Sequence, residues 1–253
     1  MAMPSVELTG RRALVTGASS GLGRHFSQVL ARSGAHVTLA ARRIGALEET
    51  AARISSEGGR SEILHLDVTD EASLGAAFPP DGEPYDIVVN NAGVAHAGAA
   101  LDMKPDDWAH TIDTDLSGVF RVAQATAKQM VEAGRGGTII NVASIAGLRV
   151  AGSLAAYATA KAGVVQLTRA LALEWARYQI RVNSLCPGYI ETDINRDFFA
   201  SDAGKAMIRR IPQRRLGQFE DLDGPLLLLA SDAGRFMTGT EIVVDGGHLV
   251  SSM

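Results

Sequence analysis

A tyrosine and a lysine, Tyr157 and Lys161, stand four positions apart within a long helical pattern over residues 155–178. Side chains at this spacing lie on one face of a helix, so the two project toward the same point. A tyrosine hydroxyl is a poor base at neutral pH because its reference pKa is about 10, but a neighbouring ammonium group favours the phenolate. The spacing therefore predicts a tyrosine that exchanges protons with a substrate and a lysine that keeps it ready.

Ser144 lies upstream of this pair, just after an apolar run over Gly137–Val142 that indicates a strand. A hydroxyl at the end of a strand can donate to a carbonyl oxygen and stabilise the negative charge that develops there. The three side chains together predict chemistry at a carbonyl group. Each also has a simpler explanation, as a half-buried tyrosine, a solvated lysine and a serine cap.

Glycines are concentrated after the first predicted strand. Residues 16–23 are Thr-Gly-Ala-Ser-Ser-Gly-Leu-Gly, with an apolar run before them and a helical pattern after them. A strand, turn and helix of this kind present backbone amides and the positive end of a helix dipole to a pyrophosphate. The alternative is a tight turn with a purely structural role. We expect contacts to a bound dinucleotide from Gly17, Ser19, Ser20, Gly21, Leu22 and Gly23.

Two arginines, Arg42 and Arg43, follow the second predicted strand. In dinucleotide folds an acidic residue at this place accepts from the adenine ribose 2′-hydroxyl, whereas an arginine accommodates a 2′-phosphate. No carboxylate appears before Glu48. Arg42 is therefore the predicted phosphate ligand and Arg43 a second one, which favours NADP(H) and leaves NAD(H) open. The alternative is that both arginines are solvated at the start of a helix.

These motifs, in their order along the chain, resemble the short-chain dehydrogenase/reductase family. The matching segments are residues 16–23, 90–93 (Asn-Asn-Ala-Gly), Ser144, residues 157–161 (Tyr-Ala-Thr-Ala-Lys), and Pro187 and Gly188 with Thr192 beyond them. The resemblance runs from about Leu8 to Gly247 and implies hydride transfer between a nicotinamide cofactor and a ketone or secondary alcohol. It also implies that Lys161 binds the cofactor ribose. Further implied cofactor contacts are Asp67, Val68, Asn91, Ala92, Gly93, Tyr157, Pro187, Gly188, Ile190 and Thr192.

One position departs from the family pattern. Relatives commonly carry an asparagine that holds a water linking the active-site lysine to solvent, whereas Asp115 stands there in this chain. A carboxylate can also accept from water, and it carries charge near Lys161. We therefore include Asp115 among the catalytic residues and expect Asp115→Asn to retain substantial activity.

The segment over residues 189–215 corresponds to the part that covers the substrate in relatives. Its apolar side chains predict an apolar lid; they are Ile194, Phe198, Phe199, Met207 and Ile211. The residues expected to border the pocket are Val94, His96, Arg149 and Val150. They suit a hydrophobic ketone, or a carboxylate-bearing one paired with Arg149.

The resemblance leaves a 3-oxoacyl thioester reductase open as an alternative. Members that act on carrier-protein thioesters usually have a basic residue just before the glutamate that corresponds to Glu174, to bind the acidic carrier. Leu173 stands there, which disfavours this reaction. A non-catalytic NAD(P)-binding sensor or scaffold is a second alternative, although the intact Ser144, Tyr157 and Lys161 argue against it. The chain ends as in tetrameric relatives, so the resemblance implies a homotetramer.

The segments that position these residues alternate between strand and helix. The predicted strands are 12–16, 36–40, 61–66, 85–89, 137–142, 181–185 and 241–244. The predicted helices are 22–33, 45–57, 70–78, 105–108, 115–133, 155–178 and 220–231. This alternation indicates an α/β fold, a doubly wound (Rossmann) parallel seven-stranded sheet with helices on both faces. Ligands then bind at the carboxyl ends of the strands.

Composition and residue spacing argue against several other classes of protein. The 253 residues carry a formal net charge of −4, without the basic excess of a nucleic-acid or anionic-membrane binder. Cys186 is the single cysteine, and no spacing indicates a metal site. Residues 1–10 lack a secretory pattern, and the longest apolar run, residues 226–230, is too short for a membrane helix. We expect one cytoplasmic domain over residues 1–253, with a small-molecule substrate and no nucleic-acid, membrane or metal partner.

Overall fold

Seven strands pair in parallel into one sheet. The computed structural model describes residues 6–192 and 195–251. The strands are β1 (Arg12–Thr16), β2 (His36–Ala41), β3 (Arg60–His65), β4 (Ile87–Asn90), β5 (Gly137–Val142), β6 (Ile180–Pro187) and β7 (Glu241–Val244). Their order is β3-β2-β1-β4-β5-β6-β7, so the winding direction reverses between β1 and β4. The predicted doubly wound fold is confirmed, and the reversal marks where ligands bind in such sheets.

Helices cover both faces of the sheet. They are α1 (Gly21–Arg32), α2 (Ile44–Ser56), α3 (Glu71–Ala77), α4 (Pro105–Ile112), α5 (Gly118–Glu132), α6 (Ala155–Trp175), α7 (Arg196–Ala200), α8 (Asp202–Ile208) and α9 (Asp223–Ala230). Successive residues of β1 pack into two hydrophobic cores, one on each face of the sheet. Val15 packs with α1, α2 and α9, whereas Leu14 packs with α3, α5 and α6. Side chains alternate across a strand, so a strand such as β1, whose central residues 13–15 are all apolar, requires cover on both faces.

Several predicted elements differ from the structure in their bounds, among them one edge strand and one helix near the site. The strand expected over residues 61–66 is displaced by one residue, and much of β3 is exposed because it is an edge strand. The helix expected over residues 115–133 is joined to α4 through one π-helical turn, Asp113–Ser117. A π turn inserts an extra residue into a helix, and here it accompanies a fully buried Asp115. Asp70 caps the start of α3, since its carboxylate accepts from the amides of Ala72 and Ser73.

Within residues 6–192 and 195–251, no helix is both long and apolar enough to cross a bilayer. The same residues contain no cluster of three or more His, Cys, Asp and Glu side chains suited to a metal ion.

Candidate active site

Two cavities open near the carboxyl ends of the central strands. The first, about 380 Å³, is called here the glycine cleft. Its walls are Thr16, Gly17, Ser19, Ser20, Leu22, Ala40–Arg43, Leu66–Thr69, Asn91–Val94 and Thr114. The second, about 830 Å³, is called the tyrosine cavity. Its walls are Ala95, Ser144–Ala146, Arg149–Gly152, Leu154, Tyr157, Gly188, Tyr189, Asn195, Met207, Arg210, His248, Leu249 and Ser251.

The glycine turn is shaped by backbone conformations and close approaches that exclude side chains. Gly17 and Gly21 have positive φ angles of +68° and +52°, the left-handed region that favours glycine. A Cβ on Gly23 would lie 2.3 Å from the Gly17 carbonyl oxygen. No side chain caps the start of α1, so its first amides remain available for an anion.

The two arginines occupy different places at the mouth of the glycine cleft. The Arg43 guanidinium donates to the hydroxyls of Ser19 and Ser20, at 3.0 and 2.9 Å. Arg42 is largely exposed and lies 3.7 Å from the Asp67 carboxylate. The pKa of Asp67 is lowered, because hydrogen bonds from Thr69 and the charge of Arg42 outweigh the effect of burial. Arg43 is therefore the arginine anchored on the glycine turn.

Asn91 fastens the end of β4 to the end of β1. Its side-chain amide donates to the Thr16 carbonyl oxygen at 3.0 Å. The Thr16 hydroxyl in turn accepts from the backbone amides of Asn91 and Ala92, both at 3.0 Å. These contacts hold the two strand ends on either side of the point where the sheet order reverses.

Asp115 lies in direct contact with Lys161. Its Oδ2 atom is 3.3 Å from Lys161 Nζ, and both side chains are buried. Its Oδ1 atom accepts from the Val94 amide at 2.7 Å. Burial raises the pKa of Asp115, although Lys161 and the Val94 amide oppose this shift. A side chain at Gly93 would crowd the same carboxylate, since its Cβ would lie 3.0 Å from Oδ2.

Tyr157 and Lys161 lie on the same face of α6, as the spacing predicts. Lys161 Nζ is 5.6 Å from the centre of the Tyr157 ring and donates to the Val142 carbonyl oxygen at 3.0 Å. The ammonium group is thus held between the end of β5, Asp115 and the tyrosine. Tyr157 is half-buried and lines the tyrosine cavity.

Ser144 lines the tyrosine cavity together with Tyr157. Its Oγ atom accepts from the Ala146 amide at 3.1 Å, so it also caps the short turn Ile145–Gly147. This turn packs closely on α6, because a Cβ at Gly147 would lie 2.6 Å from the Lys161 carbonyl carbon. Accepting a hydrogen bond leaves the serine proton free to be donated.

The remaining predicted cofactor residues lie at the end of β6 and just after it. Pro187 ends β6, and Gly188 faces the tyrosine cavity, where a Cβ would lie 2.6 Å from that of Asp245. Ile190 is buried, and the Thr192 amide donates to Asn195. These residues are not on the walls of the glycine cleft.

The lid differs from its predicted form. Phe199 and Ile211 pack in a small core of their own instead of lining the cavity, and Phe198 is exposed. Of the predicted lid side chains only Met207 lines it, while Ile194 lies outside the described residues. The reason is that a short two-helix segment must bury apolar side chains of its own to hold its shape.

Two of the four residues predicted to border the substrate pocket do not line the tyrosine cavity. Val94 lies on the glycine cleft, and His96 lies 3.3 Å from the Thr111 hydroxyl. Arg149 and Val150 do line the tyrosine cavity.

The C-terminal segment contributes cavity walls that sequence reasoning missed. His248, Leu249 and Ser251 line the tyrosine cavity, as do Tyr189 and Arg210. The Tyr189 and His248 rings lie 5.3 Å apart. No local pattern marks these residues, because long-range packing brings them to the site.

The doubly wound sheet has a glycine turn at the point where the strand order reverses. Beside it lies a cavity with a serine and a tyrosine on its walls and a buried lysine below. This combination defines the class of dinucleotide-dependent oxidoreductases. Comparison with known proteins agrees with this class. A family model described as "Enoyl-(Acyl carrier protein) reductase" matches residues 17–248.

Similar proteins align over nearly the whole chain. Gluconate 5-dehydrogenase of Gluconobacter oxydans is 36% identical, covering 96% of both chains. The 3-oxoacyl-[acyl-carrier-protein] reductase of Pseudomonas aeruginosa is 36% identical, covering 97% of this chain and 100% of its own. The solved structure of a gluconate 5-dehydrogenase from Burkholderia cenocepacia, in complex with NADP and tartrate, has a TM-score of 0.92 at 36% identity, with 98% of each chain covered.

The chain belongs to the short-chain dehydrogenase/reductase family. It is an oxidoreductase, and the predicted resemblance is confirmed.

Proposed function

We propose that the protein transfers hydride between NADP(H) and a small ketone or secondary alcohol, with Tyr157 as the general acid/base. The observation that carries this proposal is the geometry around Tyr157. It shares one cavity with Ser144, and Lys161 lies beneath it in a buried ion pair with Asp115. A purely structural tyrosine would not require a buried ammonium group at this place.

The glycine cleft fits a dinucleotide. Its turn combines two positive-φ glycines with a third that has no room for a Cβ, so the backbone can approach a pyrophosphate closely. A bound nicotinamide supplies the hydride in reduction and accepts it in oxidation. Residues 17 and 19–23 would hold the pyrophosphate, residues 67–68 and 91–93 would lie along the adenosine half, and Pro187, Gly188, Ile190 and Thr192 would border the nicotinamide half.

Each catalytic side chain has a defined task. In reduction, the Tyr157 hydroxyl gives its proton to the carbonyl oxygen while the carbonyl carbon gains the hydride, and oxidation reverses both transfers. Ser144 donates to the same oxygen and stabilises its developing charge. The Lys161 ammonium stabilises the phenolate that remains. Asp115 acts as a positioning residue, because it touches Lys161 instead of the reacting atoms.

Arg42 and Arg43 support a preference for NADP(H). Both line the glycine cleft, and an arginine at the end of the second strand suits a 2′-phosphate. The NADP named in the solved relative from Burkholderia cenocepacia is consistent with this choice. A comparison of KM values for NADPH and NADH tests it, since equal values would contradict the assignment.

The decisive experiment follows NADPH absorbance against ketones, aldehydes and 3-oxoacyl thioesters. We expect turnover by the wild type and a loss of more than about a thousandfold in Tyr157→Phe, roughly 4 kcal/mol of barrier. The matched control is Tyr178→Phe, which removes a surface hydroxyl bonded to Arg177. Cofactor binding is measured separately by fluorescence. Binding without turnover on any substrate would favour the sensor or scaffold alternative.

Reduction of a 3-oxoacyl thioester is the second candidate function. The matching family model and the Pseudomonas aeruginosa relative favour it. Against it, Leu173 is strongly exposed on α6, at the place where carrier-binding members have a basic residue. A kcat/KM that is higher for the acyl-carrier-protein thioester than for simple ketones would favour this second function.

The protein is further inferred to be a cytoplasmic homotetramer in which residues 1–253 form one cofactor-binding and catalytic domain. The family resemblance supports the tetramer, and the single seven-stranded sheet of the described residues supports one domain. Light scattering measures the oligomeric state directly.

A further inference from the structure

The charged groups on the tyrosine cavity have one sign. Among its described wall residues, the charged side chains are Arg149 and Arg210, and none is acidic. Ser144 and Tyr157 lie on the same walls. A cavity that brings two cations toward a reaction centre needs an anion to balance them once water is displaced.

Arg149 is fixed in place by the C-terminal segment. Its Nη1 atom donates to the carbonyl oxygens of His248, Leu249 and Ser251, at 3.2, 3.3 and 3.3 Å. Its Nε and Nη2 atoms donate to none of the described residues, which leaves one edge of the guanidinium open. An arginine held in this way is suited to a carboxylate, which it binds through two parallel hydrogen bonds.

His248 lies on the same cavity wall as the two arginines. Its pKa is lowered, mainly because burial disfavours the imidazolium and also because Arg149 and Arg210 are close. The nearby Asp245 acts in the opposite direction. Both Asp245 oxygens, however, accept backbone hydrogen bonds, from Gly247 at 2.8 Å and from Leu249 at 2.6 Å. Asp245 therefore shapes the turn and does not lie on the cavity wall.

The rest of the cavity wall is mostly apolar. The larger apolar side chains are Ile145, Val150, Leu154, Met207 and Leu249. A substrate with hydroxyl groups along its whole length would lose hydrogen bonds to water against these walls. An alkyl chain would instead gain from burial there.

We propose that the substrate is a hydroxy acid, or the corresponding oxo acid, with an alkyl body. Its carboxylate binds Arg149 and Arg210, and its carbinol or carbonyl carbon lies at Tyr157. This inference rests on the proposed function and adds the chemical class of the substrate.

The test compares straight-chain hydroxy acids of increasing length with their methyl esters, which keep the reacting alcohol and lose the charge. With NADP+, we expect the wild-type kcat/KM for the best acid to be at least about tenfold higher than that for its ester. Tenfold corresponds to the lower end of the free energy that a hydrogen bond to a charged group contributes. Gluconate, which has the charge but not the alkyl body, should be a poorer substrate than that acid.

Substitutions of the two arginines then test where the carboxylate of the substrate binds. Arg210→Gln removes an arginine whose side chain makes no hydrogen bond or ion pair with the described residues, and Arg149→Lys keeps the charge but loses the paired donors. Each should lower the acid-to-ester ratio about tenfold or more. The matched control is Arg209→Gln, because Arg209 is exposed beside Arg210 but does not line the cavity.

The outcomes separate this inference from the proposed function. Equal kcat/KM for acid and ester would overturn the inference and leave the oxidoreductase intact. A ratio that falls as much in Arg209→Gln as in Arg210→Gln would also overturn it. Calorimetry on Tyr157→Phe loaded with NADP+ measures binding without turnover. Binding of the acid and not the ester would support the inference, and equal binding would contradict it.

Discussion

Replacement of Asp115 by asparagine tests how charge is arranged around the tyrosine. One carboxylate oxygen, Oδ1, accepts a hydrogen bond from the Val94 amide, and the other, Oδ2, forms an ion pair with Lys161 Nζ. Asparagine has a single oxygen, so it keeps one of these contacts and removes the negative charge. Lys161 retains its bond to the Val142 carbonyl oxygen, so we expect Asp115→Asn to keep the lysine in place and to stay active.

The size of the effect follows from the distances. Lys161 Nζ is 3.3 Å from the carboxylate and 5.6 Å from the Tyr157 ring centre. The carboxylate therefore lies within about 9 Å of that ring centre, where two unit charges interact by about 2 kcal/mol at an effective dielectric constant of ~20. Removing the negative charge makes the phenolate easier to form. The acid limb of the pH profile for alcohol oxidation should move to lower pH by about one and a half units, since 1.36 kcal/mol corresponds to one unit.

The assay is kcat/KM for NADP+-dependent oxidation as a function of pH. Because burial raises the pKa of Asp115, its carboxylate regains a proton at a higher pH than an exposed aspartate would. The two profiles should therefore converge at the acid end. Asp113→Asn is the matched control, since Asp113 lies in the same π turn but pairs with Arg121 at the surface. An unmoved or upward-shifted limb would refute the reasoning, as would a loss above about a thousandfold.

Three further predictions follow from the glycine cleft and the core. Gly23→Ala would place a methyl 2.3 Å from a carbonyl oxygen, so NADPH binding and Tm should both fall; an unchanged Kd would contradict this. Arg43→Ala should raise KM for NADPH about tenfold or more while KM for NADH changes little, with the exposed Arg53→Ala as control, and equal effects on both cofactors would exclude a 2′-phosphate contact. Burial raises the pKa of Cys186 to about 11, so only about one thiol in a thousand is ionised at pH 8. A thiol reagent should label it slowly in the native protein and rapidly in denaturant, and fast native labelling would contradict that burial.

The sequence alone predicted the sheet, most helices and the core of the candidate site. These features depend on local signals: apolar strands bounded by turns, glycines where the backbone must be bare, and a Tyr157–Lys161 spacing that places both on one helix face. Motif order adds the information that the segments meet at one sheet edge, since parallel strands present their carboxyl ends together.

Tertiary structure decided which neighbours these residues meet. The sequence placed Asp115 near Lys161 through a water, whereas the π turn brings the carboxylate into direct contact. The sequence predicted both Arg42 and Arg43 as phosphate ligands, and the structure adds that Arg43 bonds to the glycine turn while Arg42 lies beside Asp67. In each case the helical or strand period predicts only which face of its element a side chain lies on. Which residue it contacts depends on how the elements pack together.

The C-terminal wall of the tyrosine cavity is the clearest example of a feature that tertiary structure alone decides. Arg149 bonds to carbonyl oxygens about a hundred positions away, at His248, Leu249 and Ser251. Carbonyl oxygens are present at every residue, so no residue type in the C-terminal segment signals this contact. Only the folded chain brings them to the arginine, and the charge and shape of the tyrosine cavity depend on that approach.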